Sequence, residues 1–156
     1  MRNTRLVGGT SLALQIGHRK SVDLDFFGEI SVDNGTLTDE LKELGNLVVL
    51  KSSSRIHIYL LNNIKVDIID YSYPWLEESL YRDNLNLGGL QDIAAMKLAA
   101  ITGRGTKKDF IDLYYLSQRY TLSEMLSFYE RKYPDGTAFM VLKSLSYFDD
   151  AEHEPS

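Results

Sequence analysis

Cysteine is absent from all 156 residues, which excludes disulfides and thiolate-bound metals and is compatible with a reducing compartment. No opening stretch resembles a signal peptide, and no apolar run approaches the roughly 18 residues of a membrane-spanning helix. The expectation is a cytoplasmic chain with no membrane partner. Histidine is scarce: His18 and His57 have no second histidine at ligand spacing, and His153 stands in an acidic tail, so a zinc site is not expected. There is neither an internal repeat nor a low-complexity tract. Basic residues are outnumbered, 17 against 22 acidic, and the formal charge of −5 argues against a uniformly basic nucleic-acid-binding surface. Positive charge gathers instead in His18-Arg19-Lys20 and between Arg104 and Lys108, runs whose plain reading is a solvated face.

A chain of this length that is 44% hydrophobic and 25% charged fits one domain, or two small lobes sharing a core, without a covalent staple. Leu6-Val7 reads as the end of a first strand, and Thr10 as the cap of a helix to Ile16 that Gly17 stops. The strand starts so near Met1 that a missing preceding segment is expected. A second strand runs through Ser21 to Phe27, and a helix from Thr36 or Thr38 to Leu44. Strands follow at Leu47 to Lys51, Arg55 to Leu61 and Ile64 to Asp70. A two-residue Asn62-Asn63 hairpin would place Ile58 opposite Asp67, mixing faces. The alternation therefore predicts a three-residue loop that sets His57 beside Asp67. Tyr71 to Asn86 reads as a connector with a short helix. Beyond Gly88-Gly89 the chain turns helical: Leu90 to Ile101, Lys107 to Arg119, Leu122 to Lys132 and Thr137 to about Phe148, with a frayed tail from Asp149. Residues 1–87 are thus expected to form an α/β core and 88–156 a helical part packed on it.

The chemistry concentrates early. Gly8-Gly9 before a helix leaves backbone N–H groups free for an anion, although an ordinary strand-turn-helix reads the same way. With period-two alternation Asp23 and Asp25 share a strand face, where two carboxylates are stable only if solvated, protonated or holding a hard cation such as Mg²⁺. Asp67 completes a possible triad able to hold two such ions. Lys97 falls on the apolar stripe of the Leu90 helix, and three readings stand: it snorkels, pairs with a carboxylate or holds a phosphate. Asp92 suits the helix dipole. Asp109 and Asp112 are surface neighbours of a helix start capped by Thr106, with Lys108 positioned to pair with Asp112.

Taken together, LVGGTSLALQIGHRKSVDLDFF, Lys65-Val66-Asp67 and DIAAMKLAAITGRGTKKDFIDLYYL resemble the motifs of nucleotidyltransferases of the AbiEii/AbiGii toxin family, related to the MenT toxins. Thirteen residues separate Val7-Gly8-Gly9 from Asp23-Leu24-Asp25, and the resemblance runs over about residues 5–118. It implies an α+β fold: a small mixed sheet flanked by helices, followed by a C-terminal helical bundle. By that resemblance Asp23, Asp25 and Asp67 hold Mg²⁺ or Mn²⁺, Gly8, Gly9 and Thr10 meet the triphosphate of an NTP, and Lys97 neutralises phosphate charge. Asp109 gives catalytic support, and Arg19 reaches phosphate or acceptor. The implied reaction moves a nucleoside monophosphate from an NTP to an acceptor hydroxyl, such as that of a tRNA 3′ end or other RNA, in a toxin neutralised by a cognate antitoxin. Family members usually carry more helix before the first motif, and many are longer at the C-terminus. A compact member, a fragment and an inactive nucleotide-binding or partner-binding scaffold all remain open. Two other classes fit less well: a sugar-nucleotide transferase does not require the glycines, and a haloacid-dehalogenase-type phosphatase wants Thr or Val where Phe27 stands.

Overall fold

The computed structural model of the chain describes residues 3–146. Strand β1 (Thr4–Val7) runs directly into α1 (Gly8–Ile16), followed by β2 (Leu24–Gly28) and α2 (Asn34–Lys42). A meander of β3 (Leu47–Ser52), β4 (Ile56–Leu61) and β5 (Ile64–Asp70) precedes a small hairpin, β6 (Leu80–Arg82) and β7 (Leu85–Leu87). Helices α3 (Leu90–Arg104), α4 (Lys107–Leu116), α5 (Leu122–Lys132) and α6 (Ala138–Leu145) close the described chain. All the described strands join one sheet in the order β3-β4-β5-β2-β1-β7-β6, parallel at β2/β5 and β1/β7 and antiparallel elsewhere. This is the mixed α+β architecture expected, and no described helix is long and apolar enough to cross a membrane.

Local chemistry accounts for the helices. Asp33 caps α2 by accepting from the Thr36 N–H at 2.7 Å, while Thr106 with Asp109 and Thr121 with Glu124 form capping boxes on α4 and α5. The apolar stripes then build two cores. Leu37 and Leu41 of α2 cover Tyr59, Val66 and Ile68 on one sheet face. Leu12 of α1 packs with Ile93, Leu98, Leu113, Met125 and Val141 of the C-terminal helices. Burying side chains of this size stabilises by roughly 1.5–3 kcal/mol each.

Three expectations are corrected. Asn62 and Asn63 both take left-handed backbone angles (φ 50° and 68°), the pair that a two-residue type I′ turn demands. Ile58 therefore does pair with Asp67, and His57 with Ile68, so His57 and Asp67 lie on opposite faces. Alternation misled because the buried face of β4 carries His57 and Tyr59, 1% and 0% exposed. His57 meets Ser52 Oγ at 3.2 Å and is a core residue. Secondly, 71–86 holds no helix; Asp83 and Asn84, again both at positive φ, turn the β6–β7 hairpin. Thirdly, Thr10 does not cap α1, which begins two residues earlier at Gly8, and Asp23 precedes β2 rather than lying in it. Phe148 and the acidic tail lie outside the described residues.

Register positions the site. Val7 pairs with Asp25 and Asp25 with Asp67, so all three share the face opposite α2. On this face α3 closes against the sheet, with Ile93, Met96 and Lys97 bordering a small cavity beside Val7 and Asp25.

Candidate active site

Strand β1 gives way to α1 without a linker, and Val7 in the cap position offers no side-chain acceptor. The first N–H groups of the helix are thus left without an intrahelical or capping partner, at the positive end of its dipole. Gly8 sits at φ 72°, and a Cβ there would stand 2.5 Å from Asp25 Oδ2. At Gly9 a Cβ would overlap the Arg19 guanidinium and lie 3.2 Å from Asp112 Oδ2. Both glycines are therefore set by the close approach of charged side chains as well as by the turn. Thr10 is buried; its hydroxyl contacts Ser21 Oγ at 2.6 Å and donates to the Asp23 carbonyl, fastening the loop before β2 to α1.

Asp25 and Asp67 stand opposite one another on the parallel strands β2 and β5. Burial, and then the Asp67 charge, push the Asp25 carboxyl up to about 6. Asp67 Oδ1 is buried without a hydrogen-bond partner, while Oδ2 meets Lys65 Nζ at 3.4 Å. Asp23 is exposed at the mouth. Among the described residues no three carboxylates or histidines form a finished metal cage. A divalent cation nevertheless suits the donor set, because it would relieve the Asp25–Asp67 repulsion and satisfy the orphaned oxygen.

Asp112 is the hub of the neighbouring cluster and fully buried. Arg19 grips it in a fork, Nε to Oδ1 at 2.7 Å and Nη2 to Oδ2 at 3.0 Å; His18 Nε2 lies 2.6 Å from Oδ1 and Lys97 Nζ 2.9 Å from Oδ2. Burial opposes its ionisation, but the Arg19 bonds, the Lys97 charge and the His18 bond prevail and hold it well below the usual carboxylate range. Burial likewise opposes the Lys97 charge, which Asp112 and Asp109 restore and raise. Lys97 Nζ also donates to Asp109 Oδ1 at 3.0 Å, while Asp109 Oδ2 accepts from the Thr106 N–H. Of the three readings for Lys97, pairing with carboxylates is the one observed. Lys108 is not the partner of Asp112.

These groups border two adjoining cavities of about 510 and 210 Å³ that share Gly9, Asp25, Lys97 and Asp109. Lys20, Lys65 and Lys108 line the larger one together with Asp23 and Asp25. A site in which carboxylates and lysines alternate beside a helix N-terminus suits a polyanion carried with a metal ion. The sequence reads His18 as part of a solvated basic run and puts Asp112 on the surface beside Lys108, so neither is expected in the site. The criterion that singled out Lys97, a charge on an apolar helix stripe, applies equally to Asp112 beside Phe110, Leu113 and Leu116.

A seven-stranded mixed sheet with this helix placement and opposed aspartates is a nucleotidyltransferase fold. Among solved structures the chain is similar to JHP933 from Helicobacter pylori, with a TM-score of 0.63, 19% identity, and 96% of this chain and 82% of that one covered. It is also similar to MenT4, a nucleotidyltransferase toxin of Mycobacterium tuberculosis, with a TM-score of 0.60, 16% identity and coverage of 81% and 55%. At these identities the likeness is one of fold. The model of the nucleotidyl transferase AbiEii toxin family, type IV toxin–antitoxin system, matches residues 2–155, and the chain belongs to that family. An uncharacterized protein of Aquifex aeolicus is 37% identical over 155 residues, spanning 96% of this chain and 75% of that protein.

Proposed function

We propose that the protein transfers a nucleoside monophosphate from an NTP to an acceptor hydroxyl, and that the acceptor is RNA. The observation that carries this reading is the opposition of Asp25 and Asp67 against the uncapped N-terminus of α1. Asp25 and Asp67, with Asp23 at the mouth, are the residues that would hold Mg²⁺ or Mn²⁺. When bound, such an ion activates the attacking hydroxyl and neutralises the leaving pyrophosphate. The chain's own part is binding and alignment. N–H groups of Gly8, Gly9 and Thr10 meet phosphate oxygens, with Lys65, Lys20 and Lys108 around them. Asp112 positions Lys97 and Arg19 at the cavity wall, and Asp109 holds Lys97 from the other side. Membership of a toxin family points to a cytoplasmic toxin and a cognate antitoxin partner.

The test is incubation with α-labelled NTPs, Mg²⁺ and total RNA. Label is expected in RNA, falling by about a hundredfold or more in Asp25→Ala and Asp67→Ala. Transfer at the wild-type rate by Asp25→Ala would refute the mechanism. NTP binding by calorimetry without transfer to any acceptor would instead identify a nucleotide-binding scaffold.

A further inference from the structure

We propose that an aromatic cleft at the far end of the Asp25 sheet face is a stacking subsite for a base of single-stranded RNA, the acceptor class of the reaction proposed above, on which this inference rests. Arg5 pairs with Phe27 in the β1–β2 register and so shares the face of Val7 and Asp25, two residues or about 7 Å along the strand. Beyond it opens a cavity of about 370 Å³ walled by Arg5, Tyr71, Tyr73 and Trp75, with Glu29 and Asn86 at its polar side. Phe27 links this cleft to the catalytic region: it borders the smaller catalytic cavity and meets Tyr71 edge-on, 5.2 Å between centroids.

The walls are held in advance of any ligand. Tyr71 lies 5.2 Å from Tyr73 and 5.5 Å from Trp75, and its hydroxyl meets that of Tyr133 at 2.7 Å. Lys132 Nζ sits 4.2 Å from the Trp75 ring centre while bonded to Asp92, and the Arg5 guanidinium lies 4.4 Å from the same ring. With two cations already against Trp75, a third cation is a poor occupant. A flat base is a good one: Tyr73, 46% exposed, offers a ring, and Arg5 offers a guanidinium plane. Arg5 donates to the Glu77 carbonyl at 2.8 Å, and among the described residues no carboxylate lies within ion-pair distance of it. Asp92 and Glu78 act on it only from beyond that distance, so it can meet one backbone phosphate directly. Glu29 accepts from base N–H groups, and Asn86 both donates and accepts. Of the two cations here Lys132 is fully buried and paired with Asp92, which leaves Arg5 for a single phosphate, unlike the lysine-lined cavity beside Asp25 that suits an NTP.

Trp75 is the sole tryptophan, so its emission reports directly on the cleft. The protein is titrated with a short single-stranded oligoribonucleotide, followed by Trp75 emission and by the anisotropy of a label on the RNA. A saturable change in emission is expected, with affinity about tenfold weaker in Tyr73→Ala and near wild type in Tyr73→Phe. The titration is run without NTP or Mg²⁺, so it reads RNA binding apart from transfer. An intact, Tyr73-dependent titration therefore supports the cleft even if label transfer fails, whereas transfer without it overturns the cleft alone. Equal affinity of wild type and folded Tyr73→Ala, or RNA bound by anisotropy with Trp75 emission unchanged, would also overturn it. Nucleoside monophosphates saturating as tightly as the oligonucleotide would overturn the RNA assignment in favour of a mononucleotide site.

Discussion

Asp25, half-buried, and Asp112, fully buried, show how two carboxylates in one site take opposite roles. Asp25 is desolvated and faces another carboxylate, so the folded state holds a proton that the unfolded chain has released between about pH 4 and 6. The stability of the metal-free protein should accordingly fall as pH rises through that window. Asp25→Asn removes the conflict and is expected to raise stability above pH 7 by on the order of 2 kcal/mol, measured by urea unfolding in EDTA. Mg²⁺ should shift the wild-type midpoint upward and leave that of the variant unmoved. Asp112 behaves in reverse. Its lowered pKa contributes stability that is present above the unfolded value of about 3.9 and is lost as pH falls through the folded one. Asp112→Asn leaves Arg19 without its carboxylate and Lys97 with Asp109 alone, and should cost about 3 kcal/mol at neutral pH, with a flatter acid limb in the unfolding midpoint.

Among the elements, the two asparagine and aspartate turns decide most. The Asn62-Asn63 turn sets the β4–β5 register and, through it, the face on which Asp67 emerges. Alanine tolerates the left-handed region poorly, so Asn63→Ala should cost about 1–2 kcal/mol in denaturant unfolding without moving the site. The same turn chemistry at Asp83-Asn84 makes three-residue strands where propensity suggested a helix, and β7 then joins β1 through Leu87. Short strands carry too few residues for periodicity to speak. By contrast, the bounds of α5 are legible, because its Thr121–Glu124 capping box and the apolar spacing of Met125 and Tyr129 agree, although Leu122 of the same stripe is exposed and Phe128 takes its place in the core.

For the molecule as a whole, two cores must be held in one alignment for the sheet face and the helical part to share a site. Besides Asp112, which joins α1's following loop to α3 and α4, the second tie is Asp92 with Lys132, both fully buried. Asp92 accepts from the Leu76 and Glu77 N–H groups and from Lys132 Nζ, and Lys132 also donates to the Pro74 carbonyl. Sequence reasoning assigned Asp92 to the helix dipole, since its partners lie 15, 16 and 40 residues away. Lys132→Met should cost roughly 3–5 kcal/mol by stranding the Asp92 charge, with hydrogen exchange rising first in 74–77 and at the end of α5.

What the amino-acid order determined was local: the glycine turn, the carboxylates at Asp23, Asp25 and Asp67, the four C-terminal helices, and the oddity of Lys97 on an apolar stripe. Each follows from periodicity, capping or backbone freedom within a few residues. Tertiary structure alone decided which charges meet. Gly8 and Gly9 follow their neighbours on the chain, yet what forbids a side chain there is Asp25 in one case and the Arg19–Asp112 pair in the other. Asp67 faces Asp25 instead of His57 because one turn selects one register, and a register shift of a single residue exchanges the faces of a strand.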